Sequence, residues 1–128
     1  MTLRNRIEER IQREIIAYLA AVTPRALVFA CPNAAPRTYG GRASNGVPGL
    51  VKGAPDLIAV FPGGRVVFIE CKTPKGRSSM DQIAFSGRCN ALGQSYFVAR
   101  SQDDVRHTLA ILNIDTMEHK KSGGVNVL

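Results

Sequence analysis

No tryptophan occurs in this chain, and aromatic residues make up only 6% of it. A platform that stacks the bases of single-stranded nucleic acid therefore lacks its material. Cysteine is scarce as well: Cys31, Cys71 and Cys89 are odd in number and form no Cys-x-x-Cys pair. That argues against a disulfide framework and a zinc site, and leaves reduced thiols buried as small apolar groups. No apolar run approaches the roughly 18 residues that a membrane helix needs. The opening MTLRNRIEERIQREI has no apolar signal-peptide core, so a cytoplasmic protein is expected. The two histidines, His107 and His119, have no acid or nucleophile at useful spacing and are expected to be structural. With no Gly-x-Ser-x-Gly elbow either, a Ser-His-Asp hydrolase has no support.

Acidic residues are the minority charge: 10 Asp and Glu against 17 Lys and Arg leave the chain at +7. Coulomb attraction to polyanions follows, with nucleic acid the foremost class, although a merely solvated basic face has the same composition. At 128 residues the chain is long enough for one core and one domain, spanning residues 1–128, with no repeat or low-complexity tract.

Apolar residues Leu3, Ile7, Ile11, Ile15, Ile16, Leu19 and Ala20 recur at three- and four-residue spacings, which predicts an amphipathic helix over Leu3–Ala21, capped by Thr2 and closed before Pro24. ALVFAC, residues 26–31, reads as a short strand. The segment from Pro32 to Pro55 holds five Gly and four Pro, leaving little room for regular structure. It carries Arg37, Arg42 and Lys52 but no acid, which suits contact with phosphates. Further on, residues 78–93 read as a helix between Ser and Gly, QSYFVARS as a strand and SQDDVRHTLAIL as a capped helix. The order α-β-β-β-α-β-α predicts an α/β fold, a mixed central sheet with flanking helices. Residues 113–128 show no period and are expected to be a tail, an extra strand or a partner-binding segment, with the core at about 3–112.

Within GAPDLIAVFPGGRVVFIECKT, residues 53–73, two carboxylates and an ammonium interrupt strands otherwise apolar enough to be buried. A three-residue turn, Pro62 to Gly64, makes Phe61 face Arg65 and sets Asp56 directly opposite Glu70 on one side of the sheet; a two-residue turn would send them to opposite sides. Facing carboxylates repel unless something neutralises them. A divalent cation with oxygen ligands does so, and a donor set without His or Cys side chains favours Mg²⁺, with Mn²⁺ able to substitute. The backbone carbonyl of Cys71 could add an oxygen. Lys72, two residues beyond Glu70, points to the same face and could orient a water or steady charge on a phosphate. Taken singly, Glu-x-Lys on a strand is an ordinary exposed ion pair, and Pro-Asp an ordinary turn.

Together, Pro55-Asp56 and Glu70-Cys71-Lys72 resemble the Pro-Asp…(Asp/Glu)-x-Lys nuclease superfamily. With Glu8 and Gln12, Asn33, KGAPDLIAV, FIECKTPKGRSSMDQ and YFVARSQDDV, the stretch from Glu8 to Leu112 is similar to the virus-type replication-repair nuclease domain, VRR-NUC. Ala54 stands where that family often has Val before Pro-Asp.

The resemblance implies a restriction-endonuclease-like core and hydrolysis of DNA phosphodiester bonds. It also implies that Asp56 and Glu70 hold the metal, that Lys72 acts on water or phosphate, and that Glu8, in part through water, and Gln82 complete the site. Glu8 is preferred to its neighbour Glu9 because Gln12 follows it at helical spacing, as in the family. Gln82 also fits the end of a Ser-x-x-Gln capping box, an alternative that needs no active site. Phosphate contacts are expected from Arg37, Arg42 and Lys52, from Lys75 and Arg77 beside the site, and from Arg6, Arg10 and Arg13 on the first helix. Stand-alone, phage-sized members resemble homodimeric resolvases of four-way DNA junctions. The expected partners are accordingly branched DNA and a second copy of the chain in a bacterial or phage-infected cell, without membrane or organic cofactor. A non-catalytic DNA-binding module and an RNA-processing nuclease are the alternatives.

Overall fold

The first helix, α1, spans Leu3–Val22, and its start follows from Thr2, whose hydroxyl accepts the Asn5 N–H at 3.1 Å. Its buried stripe is Ile11, Ile15, Tyr18, Leu19 and Val22, whereas Leu3 and Ile16 face outward. Strand β1, Leu27–Ala30, follows. The structure, a computed structural model, describes residues 2–32, 38–39, 42–43 and 48–120. Between Pro32 and Pro55, where little regular structure is expected, Thr38–Tyr39 (β2) and Arg42–Ala43 (β3) pair antiparallel in a short ladder. Gly40-Gly41 lies between them in sequence, a composition that favours two-residue hairpins over loops.

Strands β4, Leu57–Phe61, and β5, Arg65–Cys71, form the anticipated hairpin. Phe61 faces Arg65 and Leu57 faces Ile69, so the three-residue turn sets the expected register; Gly63 and Gly64 supply its positive φ values, 90° and 81°. Helix α2, Met80–Ala91, leads to β6, Ser95–Ala99, which lies parallel to β5, and α3, Gln102–Ile111, follows behind a Ser101 cap. The main sheet has the order β1-β4-β5-β6, antiparallel except for the β5–β6 pair. The fold is therefore the expected mixed α/β one.

Strand alternation divides the sheet into two faces. Leu57, Ala59, Val67, Ile69, Cys71 and Ala99 are buried in one core cluster with residues of α1 and with Val105 and Leu109 of α3. Each fully buried aliphatic side chain there contributes about 1.5–3 kcal/mol. Helix α2 packs along β6, with Phe85 meeting Phe68 edge-on at 6.0 Å and Tyr96 at 5.8 Å between ring centres. All three cysteines are free thiols; Cys71 and Cys89 are buried and Cys31 half-buried. The segment after α3 returns to α1: Met117 N–H donates to the Val22 carbonyl, and Ile114 and Thr116 are buried. His119 lies in this packed segment and His107 is exposed on α3.

Candidate nuclease site

Asp56 sits immediately before β4, where the Cys31 N–H donates to its backbone carbonyl at 2.8 Å and prolongs the β1–β4 ladder. One further step of the observed register beyond Leu57–Ile69 brings Asp56 opposite Glu70. The Cys71 N–H donates to Asp56 Oδ2 at 2.8 Å, which holds this carboxylate against the end of β5.

Glu70 is only 3% exposed. Gln82 Nε2 donates to its Oε2 at 2.8 Å, and Lys72 Nζ approaches the same oxygen at 3.4 Å. Its other oxygen, Oε1, is buried with no hydrogen-bond partner among the described residues. An orphaned buried carboxylate oxygen is costly, and burial pushes Glu70 up to about 8, with repulsion from Asp56 adding to it and Lys72 opposing both. Two hard oxygen donors, one already spoken for and one vacant, suit Mg²⁺, which is commonly held by one or two carboxylates with the remaining positions left to water and phosphate. Among the described residues no three His, Cys, Asp or Glu side chains converge on one point.

Gln82 completes the capping box and also bonds to Glu70. Its Oε1 accepts the Ser79 N–H at 2.9 Å and its N–H donates to Ser79 Oγ at 3.1 Å, completing the capping box, while its amide nitrogen reaches Glu70. The helix start and the acidic pair are joined through one side chain.

Glu8 and Glu9 separate clearly. Glu9 is exposed and bonded to Arg13 at 2.8 Å, whereas Glu8 is half-buried and close enough to help push up the Cys71 thiol, behind burial, Asp56 and Glu70. Because Cys71 faces α1 while Glu70 faces α2, Glu8 stands across the end of the sheet from Glu70.

The basic residues are distributed unevenly. Lys52, Lys75 and Arg77 are exposed on segments adjoining the site. Arg6, Arg10 and Arg13 are exposed on α1; Arg10 lies 3.9 Å from Glu14 and Arg13 is paired with Glu9, so acids already answer two of these three cations. Arg37 and the side chain of Arg42 lie outside the described residues, as does Asn33.

Two contributors have no clear mark in the sequence. Gly53, at φ 84°, packs so closely on the first turn of α2 that a Cβ there would lie 2.1 Å from the Asp81 carbonyl oxygen, a contact no side chain can make. It locks the approach to Asp56 against the turn that carries Gln82. Tyr96 places a buried hydroxyl, without a hydrogen-bond partner among the described residues, near the acids; burial first, then Glu70 and Asp56, push it upward.

The model of the VRR-NUC domain matches residues 4–103, more than three-quarters of the chain. The chain belongs to the VRR-NUC domain family. A phage protein named "Putative nuclease p44", from Acyrthosiphon pisum secondary endosymbiont phage 1, is 36% identical over 67 residues, which cover 52% of this chain and 72% of that protein. A solved structure described as a VRR_NUC domain superposes with a TM-score of 0.56 at 24% identity, over 81% of this chain and 95% of the other. That likeness supports the restriction-endonuclease-like fold. The VRR-NUC match extends from α1 through β6, so the whole Asp56–Glu70–Lys72–Gln82 group lies inside it, and the chain is read as a nuclease domain. No helix among the described residues is long and apolar enough to cross a membrane.

Proposed function

We propose that this VRR-NUC protein is a Mg²⁺-dependent, structure-specific DNA endonuclease that resolves four-way junctions as a homodimer. The observation that carries the metal dependence is the buried, unbonded Oε1 of Glu70, a residue one register step beyond the Leu57–Ile69 pair and so opposite Asp56. Asp56 and Glu70 would hold the ion. The Cys71 carbonyl, on the same lateral side of β5 as the N–H that meets Asp56, and Glu8, through water, would assist. When bound, Mg²⁺ supplies positive charge that neutralises the scissile phosphate and acidifies a water, and Mn²⁺ can replace it.

The chain's own residues do the rest. Lys72 orients the attacking water and steadies the charge developing on phosphate. Gln82 holds Glu70 Oε2, which leaves Oε1 without a bond among the described residues. Lys52, Lys75 and Arg77 grip neighbouring phosphates, contacts without base information that leave the choice of substrate to DNA shape. Two copies are needed to nick two strands. The exposed Leu27 and Phe29 on edge strand β1 favour self-association, since an apolar, uncharged edge invites another strand.

The deciding experiment incubates the protein with labelled four-way, splayed and linear DNA, and with RNA, in Mg²⁺ or chelator, alongside Asp56→Asn and Lys72→Ala. Expected are Mg²⁺-dependent paired nicks in the four-way DNA, lost in both variants while binding persists. Undiminished nicking by both variants rejects the site. Binding with no cleavage of any polymer leaves a basic binding module, and preference for RNA leaves an RNA-processing nuclease.

A further inference from the structure

Beyond the residues assigned above, the motif YFVARSQDDV contributes Arg100, which lies just past β6 and is half-buried. Its Nη1 reaches three backbone carbonyls of one turn, at 2.5 Å from Thr73, 2.7 Å from Gly76 and 3.3 Å from Pro74. This turn leaves β5 directly after Lys72 and leads to the Ser79 cap of α2, so it joins the ammonium of the site to the amide of Gln82.

Among the described residues the turn's own backbone bond is Gly76 N–H to the Thr73 carbonyl at 3.0 Å. The turn lies beside Lys72: a Cβ built at Gly76 would be 3.4 Å from Lys72 Cδ, ordinary van der Waals contact, and 3.1 Å from Thr73 Oγ1. A charged donor shared among carbonyls is roughly twice as strong as a neutral one and fixes the turn in that place. Arg100 is itself well anchored, its N–H donating to Asp104 Oδ2 at 2.8 Å, and the Lys72 N–H meets the neighbouring Ala99 carbonyl at 3.1 Å.

We infer that Arg100 is a positioning residue: by clamping the Thr73–Gly76 turn against the stem of Lys72, it fixes the ammonium beside Glu70. This inference rests on the nuclease reading for its catalytic consequence, but the clamp itself does not need it. A positioning error near 1 Å costs about a hundredfold in rate. Arg100→Ala should therefore lower kcat by about 10- to 100-fold with KM for DNA unchanged. Arg100→Lys, which restores one cationic donor, should recover part of the loss.

A second readout needs neither metal nor activity. Acetylation of Lys72, followed by peptide mass spectrometry with exposed Lys52 as internal reference, should be slow in the native protein, where the side chain is 12% exposed. It should be several-fold faster in Arg100→Ala and near native in Arg100→Lys. Unchanged Lys72 labelling in a folded Arg100→Ala protein overturns the clamp. So does a loss confined to KM, which would make Arg100 a phosphate contact. If the native protein cleaves nothing while Lys72 labelling responds as expected, the nuclease reading fails and the clamp stands.

Discussion

Glu70 retains its proton far beyond the usual carboxylate range because burial strips its hydration and Asp56 stands opposite, raising it from 4.5 to about 8. The sign of the consequence follows from proton counting. Between those two values the unfolded chain binds fewer protons than the folded one, so without metal the folded state loses stability as pH rises. Over the whole window the loss is on the order of 5 kcal/mol. Glu70→Gln should flatten it, leaving the variant more stable than the native protein at pH 8 in chelator; urea denaturation at pH 5 and pH 8 checks this, and equal slopes would refute it. Gln82 permits a separation of roles. Glutamate at that position still completes a capping box but cannot donate to Glu70. Gln82→Glu should hold its melting temperature better than Gln82→Ala, yet lose cleavage by at least about tenfold, the scale of one lost charge-assisted contact.

At the level of elements, the site depends on how α2 meets the segment before β4. Gly53 makes that contact with bare backbone, at a φ that L-residues avoid. Gly53→Ala should destabilise the protein by roughly 1–3 kcal/mol and reduce cleavage further, because relief of the clash moves Gln82 away from Glu70. Chemical denaturation together with cleavage at low temperature tests both parts; an unaltered melting curve would show that the packing yields freely. The hairpin needs no such long-range support for its register. Pro62, Gly63 and Gly64 form a local turn, and counting outward from it places Asp56 across from Glu70.

For the molecule as a whole, residues 113–120 stabilise the end of the sheet remote from the acids. Glu118 accepts from Tyr18 at 2.6 Å and from Arg106 at 3.0 Å, and the Arg106 guanidinium lies 4.9 Å over the Tyr18 ring. Truncation after Leu112 exposes the packing partners of Ile114, so a loss of about 2–4 kcal/mol is expected. Cleavage at low temperature should persist, since the acids sit at the opposite end of the β4–β5 pair, and loss of activity from a folded truncation would contradict this. Residues 121–128 lie outside the described structure. The proposed dimer is tested by sedimentation with four-way DNA: Phe29→Lys should give monomers that nick single strands without paired cuts. Dimers unaffected by that change would place the interface elsewhere.

Periodicity, capping residues and turn length are local properties, so the sequence alone determined α1, the hairpin register and the facing acids. It left Gln82 divided between cap and site because one amide has two ends, and only the packing of α2 on the sheet showed that one end caps the helix while the other bonds Glu70. Glu8 and Glu9 differ by a local pair, Glu9 with Arg13 four residues on in α1, and by the half-burial of Glu8, which only the tertiary packing decides. Gly53 and Arg100 act on backbone atoms distant in sequence, and backbone atoms are the same in every residue, so such contacts leave no residue pattern to read. The chain's side chains specified the chemistry of the site; its three-dimensional packing decided which atoms hold that chemistry in place.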